Sequence, residues 1–260
     1  MNIMQTETLH NASFKTISDE SVIEIDNLKK SFGKQEVLKN LSLQLFNGEN
    51  LVVLGKSGSG KSVLIKCIVR LLNADGGTIN VFEKNVTTLN RKELSELRLK
   101  IGFLFQSGAL YDSMTVKQNL EFPLRRIKKN LSEKEINEKV NEVLENVGLA
   151  DALNKMPSQL SGGMRKRISL ARTIVVDPMI MLYDEPTTGL DPVTSDEISS
   201  LINDVQKKYK TSSIIITHDI ECARTNANRV IMLQNGEVYQ EGRLKEFEDS
   251  NDPLIKSFFK

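Results

Sequence analysis

Short apolar segments recur along the chain and alternate with longer amphipathic ones. The runs LVVL at 51–54, MIMLY at 179–183 and SIIIT at 213–217 have the length and composition of buried strands. An extended stretch is predicted from Val22, and an alternating apolar run follows at 38–46. Because such strands alternate with helical segments, the pattern predicts an α/β protein with a mainly parallel core sheet.

Helical segments lie between the predicted strands. The run VLIKCIVRLL at 63–72 predicts a helix with an apolar face. Another helix begins after Ser132, because Glu135 completes a capping box there, and Gly148 ends it. The part of the chain from about 107 to 176 is mostly helical in this interpretation, and we expect it to form a separate lobe.

The two ends of the chain differ from its centre. Residues 1–20 are polar and aperiodic, so we predict a flexible tail there and a folded domain over 21–248. Asn235-Gly236, between VIMLQ and EVYQE, predicts a hairpin turn near the end of this domain. Residues 249–260 are predicted to be a C-terminal tail, whose two phenylalanines either pack on the domain or contact a second protomer.

Composition and charge are typical of a soluble globular protein. The 260 residues include 35 basic and 34 acidic side chains, with 39% hydrophobic and 27% charged residues. This balance gives no reason to expect nucleic-acid binding. A signal peptide is not recognisable, and no apolar run reaches the roughly 18 residues of a membrane span. Cys67 and Cys222 are expected to be buried thiols in a reducing cytoplasm.

Two basic clusters stand out against this balance. Residues 125–129 contain four basic side chains in the order RRIKK, and 165–167 read RKR. Such clusters can bind lipid headgroups or nucleic acid. Acidic residues follow the first cluster closely, so we interpret both clusters as solvated helix surface.

A glycine-rich segment follows the predicted strand at 51–54. It reads GKSGSGKS, matches G-x-x-x-x-G-K-[ST], and stands between a strand and a helix as that motif requires. Backbone N–H groups of such a loop point at phosphate oxygens, and the helix N-terminus adds a favourable dipole. A chance glycine-rich turn would lack this context. The predicted nucleotide-binding residues are Gly55, Lys56, Ser57, Gly58, Ser59, Gly60, Lys61 and Ser62.

Two carboxylates follow the strand predicted at 179–183. Asp184, at the end of a buried strand, can hold Mg²⁺ through water together with the Ser62 hydroxyl. Glu185 lies on the opposite face if the strand continues, where it is free to act as a general base on the attacking water. An isolated Asp-Glu pair would more often be a solvated turn or a helix cap. The phosphate loop upstream favours the functional interpretation.

The run LSGGM at 160–164 narrows the class of nucleotide-binding protein. It resembles the signature motif of ABC ATPases, and it stands between the phosphate loop and the carboxylate strand, as in that family. Ser161, Gly162 and Gly163 would cap the helix that follows and create a second anion-binding N-terminus. A tight turn that merely starts a helix is the alternative for this run taken alone.

Further residues match the same family in the expected order. Gln106 resembles the Q-loop glutamine, Asp191 in the run GLD resembles the D-loop, and His218 resembles the switch histidine. Phe32 stands where an aromatic ring stacks on adenine in the family. The resemblance covers about residues 22–248, nearly the whole chain.

The resemblance implies a fold, cofactors and an assembly. The fold would be that of a P-loop NTPase with a mainly parallel core sheet, an N-terminal antiparallel β subdomain and a helical signature subdomain. ATP and Mg²⁺ are the expected cofactors, with ATP held between the phosphate loop of one subunit and the signature helix of another in a homodimer. The expected catalytic residues are Glu185, His218, Lys61 and Gln106, and the expected Mg²⁺ residues are Ser62, Gln106 and Asp184.

The signature and the segment after Gln106 indicate a branch of the family. Met164 replaces the usual glutamine, RKR follows it, and Ser107 to Leu110 read SGAL within the run 105–124. These features resemble the ATPases of MCE-type phospholipid transporters, which move phospholipid between the two membranes of Gram-negative cells. The resemblance implies a peripheral location at the cytoplasmic face of the inner membrane, permease subunits docking near Gln106–Asp112, and an MCE-type lipid-binding protein.

Two other functions stay open. TTGLDP at 187–192 follows the generic pattern of importers and exporters, so an amino-acid or other small-solute importer is the first alternative. The second is a soluble ABC ATPase of translation or DNA repair. That class commonly has two cassettes in one chain or a long coiled-coil insertion, and this sequence contains neither.

Overall fold

The computed structural model describes residues 20–259, and their strands form two sheets. One sheet is antiparallel, and the other is mainly parallel, so the predicted α/β architecture is confirmed. The strands are β1 (Ser21–Phe32), β2 (Gln35–Phe46), β3 (Asn50–Leu54), β4 (Gly76–Val81), β5 (Lys84–Asn85), β6 (Ile101–Leu104), β7 (Ile180–Asp184), β8 (Ser212–Thr217), β9 (Arg229–Gln234) and β10 (Glu237–Gly242).

Strand order places the functional segments at one edge. The antiparallel sheet has the order β2-β1-β4-β5, and the second sheet has the order β10-β9-β3-β8-β7-β6. In the second sheet the strands from β9 to β6 are parallel, and only β10 runs antiparallel to its neighbour β9. The phosphate loop, Gln106, the Asp184–Glu185 pair and His218 follow the carboxyl ends of β3, β6, β7 and β8, so they meet at the same edge.

The helices pack around this second sheet. Those of the described residues are α1 (Lys61–Ile68), α2 (Arg91–Arg98), α3 (Val116–Ile127), α4 (Glu133–Asn146), α5 (Gly162–Ile174), α6 (Pro192–Tyr209), α7 (Ile220–Asn226), α8 (Leu244–Glu248) and α9 (Pro253–Lys256). The segment between β6 and β7, expected to be a helical lobe, holds α3, α4 and α5 and, in the described chain, no strand.

Local sequence signals account for some helix limits better than for others. At α4 the Ser132 hydroxyl accepts the Glu135 N–H and the Glu135 carboxylate accepts the Ser132 N–H, which confirms the predicted capping box. The helix predicted over 63–72 is too long, because α1 ends at Ile68 and Arg70 adopts a left-handed conformation with φ of 50°.

The core sheet separates two apolar layers. Alternate residues of β3 face opposite sides, so Val52 and Leu54 pack with helices α3 to α9, while Leu51 and Val53 pack towards the antiparallel sheet together with α1 and α2. Strands β7, β8 and β9 divide their residues in the same way. Residues on both faces of these strands are almost fully buried, which explains why the strands read as continuous apolar runs.

The two ends of the chain fare differently. The tail predicted at 1–20 lies, apart from Glu20, outside the described residues. The segment predicted to be a tail at 249–260 is folded as far as Phe259, because α9 buries Ile255 completely. Phe258 and Phe259 pack against the apolar layer of the helices, so both contact this chain's own core.

The hairpin predicted at Asn235-Gly236 is confirmed and joins β9 to β10, with φ of 51° and 84° at the two residues. A side chain on Gly236 would clash with the Val37 carbonyl. A Cβ on Gly60 would lie 3.0 Å from the same carbonyl oxygen and 2.7 Å from the Leu38 side chain. The backbone of β2 therefore contacts both the hairpin and the phosphate loop.

Two further expectations from the sequence concern membrane-spanning helices and the cysteine side chains. Among residues 20–259 no helix is long and apolar enough to cross a bilayer. Cys67 and Cys222 are both buried, as expected from the sequence, and burial raises the pKa of the Cys67 thiol to about 11 and that of Cys222 to about 12.

Candidate functional site

A cavity of about 720 Å³ opens at the carboxyl edge of the parallel strands. It brings together four segments that are far apart in the sequence, namely the phosphate loop, the Gln106 turn, the end of β7 and the end of β8. The predicted residues among those that line it are Lys56, Ser57, Gly58, Gly60, Lys61, Ser62, Gln106, Glu185 and His218.

The phosphate loop has the backbone geometry of an anion site. Gly58 and Gly60 have φ of 81° and 102°, which residues with a side chain rarely adopt, and α1 begins directly after Gly60. A Cβ on Gly55 would lie 2.6 Å from the Leu233 carbonyl oxygen, so only glycine fits there. Such a loop and the start of a helix point backbone N–H groups at one place, which fits the phosphates of a nucleotide.

Lys61 lies beneath this loop and is buried, with 6% of its surface exposed. Its ammonium donates hydrogen bonds to the Gly55 carbonyl at 2.6 Å and the Lys56 carbonyl at 3.1 Å, and it lies 3.7 Å from Glu185 Oε1. Burial lowers the pKa of Lys61, although the charges of Glu185 and Asp184 oppose this shift. A buried cation so placed is suited to the terminal phosphates of a bound nucleotide.

Ser62 and Asp184 form the second part of the site. The Ser62 hydroxyl donates a hydrogen bond of 2.6 Å to Asp184 Oδ1, and Asp184 is buried. A hydroxyl and a carboxylate are ligands that Mg²⁺ accepts alongside phosphate oxygens and water. Within residues 20–259 there is no group of three or more histidine, cysteine, aspartate or glutamate side chains that could hold a metal ion.

Glu185 reaches the cavity by a route that differs from the expected one. We expected it on the opposite face from Asp184 if β7 continued, but β7 ends at Asp184 and Glu185 has a left-handed backbone with φ of 51°. Its N–H still donates to the Ile216 carbonyl at 2.9 Å. The turn directs the carboxylate into the cavity instead of across the sheet.

The Glu185 carboxylate has several polar neighbours. Its Oε2 lies 2.7 Å from His218 Nδ1 and accepts a hydrogen bond of 3.1 Å from the Thr188 hydroxyl. Only 9% of the residue is exposed. A carboxylate held in this way, close to Lys61, can accept a proton from a water molecule beside a bound phosphate.

Gln106 is exposed and lines the cavity beyond β6. Its backbone carbonyl accepts a hydrogen bond of 2.5 Å from the Lys166 ammonium. Lys166 belongs to the RKR cluster that we interpreted as solvated surface, and for this residue the interpretation is wrong. Lys166 is 7% exposed because it lies on the face of α5 that packs against the strand ends.

Other predicted residues lie away from the cavity lining. Ser161 is exposed and caps α5, where its hydroxyl accepts the Met164 N–H at 3.2 Å, and Gly162 and Gly163 form the first turn. Asp191 caps α6 and accepts hydrogen bonds from the Thr194 N–H and hydroxyl. Phe32 is 47% exposed, and its strand partner Gln35 lines the cavity in its place.

Sequence reasoning missed six residues of the cavity wall, which are Gln35, Val37, Val63, Thr188, Ser257 and Phe258. Gln35 and Thr188 had a usable signal, because each lies within three residues of a predicted one. Ser257 and Phe258 had none, since their position depends on how α9 packs on the core.

Comparison with known proteins agrees with this geometry. A family model described as ABC transporter matches residues 38–188, more than half of the chain. The chain belongs to the ABC transporter family. It is an ATP-binding and ATP-hydrolysing subunit of this family.

Curated relatives of this ABC ATPase carry different transport names. It is 40% identical over 236 residues to the probable ribonucleotide transport ATP-binding protein mkl of Mycobacterium leprae, covering 91% of this chain and 68% of that protein. It is 38% identical over 225 residues to the methionine import ATP-binding protein MetN of Clostridioides difficile, covering 86% and 70%. The chain thus spans about two thirds of the length of these relatives.

Solved structures support the same assignment. A dimeric ATP-binding cassette in a post-hydrolysis state, bound to ADP and Pi, matches this ABC ATPase with a TM-score of 0.79 and 33% identity, covering 85% of this chain and 98% of that one. The protein cbiO1 from Clostridium perfringens, part of the ABC transporter complex cbiONQ, matches with a TM-score of 0.81 and 28% identity, covering 93% and 96%.

Proposed function

We propose that this chain hydrolyses ATP at a site completed by a second copy of itself, and thereby drives transport through membrane partners. The main observation that supports this proposal is that Ser161, Gly162 and Gly163 do not line the described cavity of their own chain. At the start of α5 Ser161 and Gly162 are exposed and Gly163 is half-buried, and the first backbone N–H groups of a helix lack partners within it. In a homodimer this helix start would face the phosphates bound by the other copy.

Within each chain the cavity residues would have different roles in binding and hydrolysing ATP. Backbone N–H groups of residues 55–62 and the Lys61 ammonium would hold the phosphates. Glu185 would take a proton from the attacking water, oriented for this by His218 and Thr188, so that ATP and water yield ADP and phosphate. Gln35 and the neighbouring Phe32 would contact the adenine ring of ATP.

Ser62 and Asp184 would hold Mg²⁺, with Gln106 beside them at the cavity wall. When bound, the ion neutralises charge on the phosphate oxygens. The 2.6 Å contact between Ser62 Oγ and Asp184 Oδ1 supports this proposal, because it brings two oxygen ligands to one point.

The proposed base is tested by Glu185→Gln. We expect this variant to bind ATP with near wild-type affinity and to lose at least about 100-fold in kcat, because an amide cannot accept the proton. Steady-state phosphate release and fluorescent-nucleotide binding measure the two quantities. Gel filtration should show a dimer only when ATP is present, since the unhydrolysed nucleotide keeps the two copies together.

The control is Glu138→Gln, a change on the exposed face of the α4 region that should leave hydrolysis and association unaltered. Wild-type turnover by Glu185→Gln would remove Glu185 from the role of base. A monomer at saturating ATP in that variant would instead contradict the composite site.

The segment Gln106–Asp112 is the proposed docking surface for membrane-embedded permease subunits. Tyr111 is 41% exposed and Phe122 36% exposed, and their rings meet edge to face with centroids 5.3 Å apart. The Arg172 guanidinium lies 4.6 Å from the Tyr111 ring centroid. Exposed aromatic rings beside an arginine are common at protein interfaces, which supports docking here and a peripheral location at the cytoplasmic face of the inner membrane.

Phospholipid is the substrate that we propose for the assembled transporter, with an MCE-type lipid-binding protein as a further partner. The proposal rests on Met164, the RKR run and the sequence of 105–124, which resemble the phospholipid branch. The chain purified with its membrane partners should transfer a fluorescent phospholipid between vesicles only with ATP. The same complex carrying Glu185→Gln is the matched control, and absence of transfer by the wild-type complex would refute the lipid substrate.

Small-solute import is the second candidate, because a relative at 38% identity is named for methionine import. Labelled methionine should then enter vesicles that contain the complex, and phospholipid should not move. A soluble ATPase without membrane partners would show the same turnover with and without them.

A further inference from the structure

Lys166 is a buried cation that the proposed reaction does not yet use. It lies in the second turn of α5, between the exposed Arg165 and the half-buried Arg167, and only 7% of its surface is exposed. An ammonium group removed from water is unfavourable unless acceptors surround it, so its partners decide what it stabilises. Burial lowers the pKa of Lys166, and the nearby charges of Asp184 and Glu185 oppose that shift.

The partners of Lys166 are two backbone carbonyls of the candidate site. Its Nζ donates to the Gln106 carbonyl at 2.5 Å and, over a longer 3.4 Å, to the Glu185 carbonyl. Gln106 follows β6 and Glu185 follows β7, which are adjacent parallel strands. Lys166 therefore joins α5 to the ends of β6 and β7 at the edge of the cavity.

The contact with Glu185 bears on the direction of its carboxylate. Glu185 has a left-handed backbone, an unfavourable conformation for a residue with a side chain, which the surrounding structure must hold in place. Its N–H is held by the Ile216 carbonyl of β8, and its carbonyl accepts hydrogen bonds from the Lys166 ammonium and from the Thr188 N–H, each at 3.4 Å. These three bonds fix both backbone polar groups of Glu185, whose carboxylate faces Lys61 and His218.

We propose that Lys166 is a positioning residue for ATP hydrolysis, which holds the backbone of Glu185 in its left-handed turn and ties it to the Gln106 segment. The inference rests on the proposed role of Glu185 as base. Through Lys166, a displacement of the docking surface Gln106–Asp112 would reach Glu185 by one side chain, without passing through the nucleotide.

The test compares Lys166→Met and Lys166→Gln in the full chain. Methionine keeps most of the volume and removes every donor, while glutamine restores N–H donors without the charge. We expect Lys166→Met to lower kcat about tenfold or more, with KM for ATP and fluorescent-nucleotide affinity changed less than about twofold, since small misplacements of a reacting group cost rate and not binding. Lys166→Gln should recover part of the lost kcat.

Lys139→Met is the matched control, because Lys139 is a partly buried lysine of the helical lobe that pairs with Asp177 at 2.7 Å and does not line the cavity. It should lower the thermal midpoint while kcat stays at the wild-type value. An equal fall in kcat for Lys139→Met and Lys166→Met, or no recovery with glutamine, would reduce Lys166 to a packing residue.

A double variant separates this inference from the proposed base. If Glu185 is the base, adding Lys166→Met to Glu185→Gln should cause little further loss, because both changes act through one carboxylate. Multiplied losses in the double variant would overturn the positioning role while leaving Glu185 as base. Wild-type turnover by Glu185→Gln alone would contradict the proposed function itself.

Discussion

Ser62 and Asp184 form a contact between two side chains that are far apart in the sequence. They are 122 residues apart in sequence and lie on α1 and β7, yet their oxygens are 2.6 Å apart. In the proposed metal site both of these oxygens would be ligands of the same divalent ion. The hydrogen bond between them also links α1, which follows the phosphate loop, to β7.

Removing the Ser62 hydroxyl tests the metal role directly. For Ser62→Ala we expect the Mg²⁺ concentration at half-maximal ATPase activity to rise about tenfold or more, because one oxygen ligand is lost. A Mg²⁺ titration at saturating ATP measures it. Ser42→Ala, which removes a hydroxyl that accepts the Asn27 N–H in the antiparallel sheet, serves as control. An unchanged titration for Ser62→Ala would exclude the hydroxyl as a ligand.

Residue identities in this site were predictable, but two side-chain environments were not. Asp184 and Glu185 follow an apolar strand and are recognisable from the sequence alone. The turn at Glu185 is closed by a local bond from the Thr188 N–H, but it also involves bonds with Ile216 and Lys166, which are distant in sequence. Lys166 is buried within a basic cluster because it lies four and eight residues before Leu170 and Ile174, on the same buried face of α5, and this helical spacing was not used in the interpretation of the cluster.

Two serine caps show how one local element serves different purposes. Ser132 caps α4 and Ser161 caps α5, and each hydroxyl accepts an N–H three residues later, at 3.3 Å and 3.2 Å. Loss of such a cap typically costs about 1 kcal/mol of the free energy of unfolding. The two helices differ in what lies beyond the cap, since the start of α5 is the proposed contact with the nucleotide of a second chain.

Ser132→Ala and Ser161→Ala form a matched pair for this element. Both should lower the free energy of unfolding by about 1 kcal/mol in denaturant titrations. Only Ser161→Ala should also prevent the ATP-dependent dimer, scored by gel filtration in the Glu185→Gln background. Equal dimer formation by the two variants would argue against α5 as part of a composite site.

Elements with strong local signals were predictable, and elements held by tertiary contacts were not. The α4 capping box and the Asn235-Gly236 turn are each determined by a few residues that are adjacent in the sequence. Helix α9 spans only Pro253–Lys256, and it is stabilised by burying Ile255 and by packing of Phe258 on the core. A short helix of this kind is not stable alone, so its sequence resembles that of a tail.

Across the whole molecule, ion pairs join the helical lobe to the core sheet. Asp177, in the turn before β7, accepts hydrogen bonds from Lys128 at 2.8 Å and Lys139 at 2.7 Å. Glu142 bridges Lys139 on α4 to Lys208 on α6. Burial alone would raise the pKa of Asp177, but the two ammonium groups outweigh it and the pKa is lowered.

This shift gives a pH dependence with a definite sign. A carboxylate with a lowered pKa in the folded state stabilises the protein above its unfolded pKa of about 3.9, and the gain is lost as pH falls through the folded value. Asp177→Asn should therefore lower the free energy of unfolding at pH 7 by about 1 kcal/mol or less, given its partial exposure. The difference from wild type should vanish in acid.

Denaturant titrations from pH 7 to well below the unfolded pKa measure this difference. The exposed Asp204 on α6 provides the control, and Asp204→Asn should change the free energy of unfolding little at any pH. A difference between Asp177→Asn and wild type that persists unchanged in acid would show that the carboxylate charge is not its source.

The contact of Val37 with Gly60 and Gly236 has a practical consequence for engineering. Hairpin tips are usually the first places to insert an affinity tag, a fluorescent label or a fused domain. The tip at Asn235-Gly236 is an exception, because its backbone abuts the β2 carbonyl that also touches the start of α1. An insertion at this tip would displace β2 against the phosphate loop, so a tag placed there would report on a protein with an altered nucleotide site.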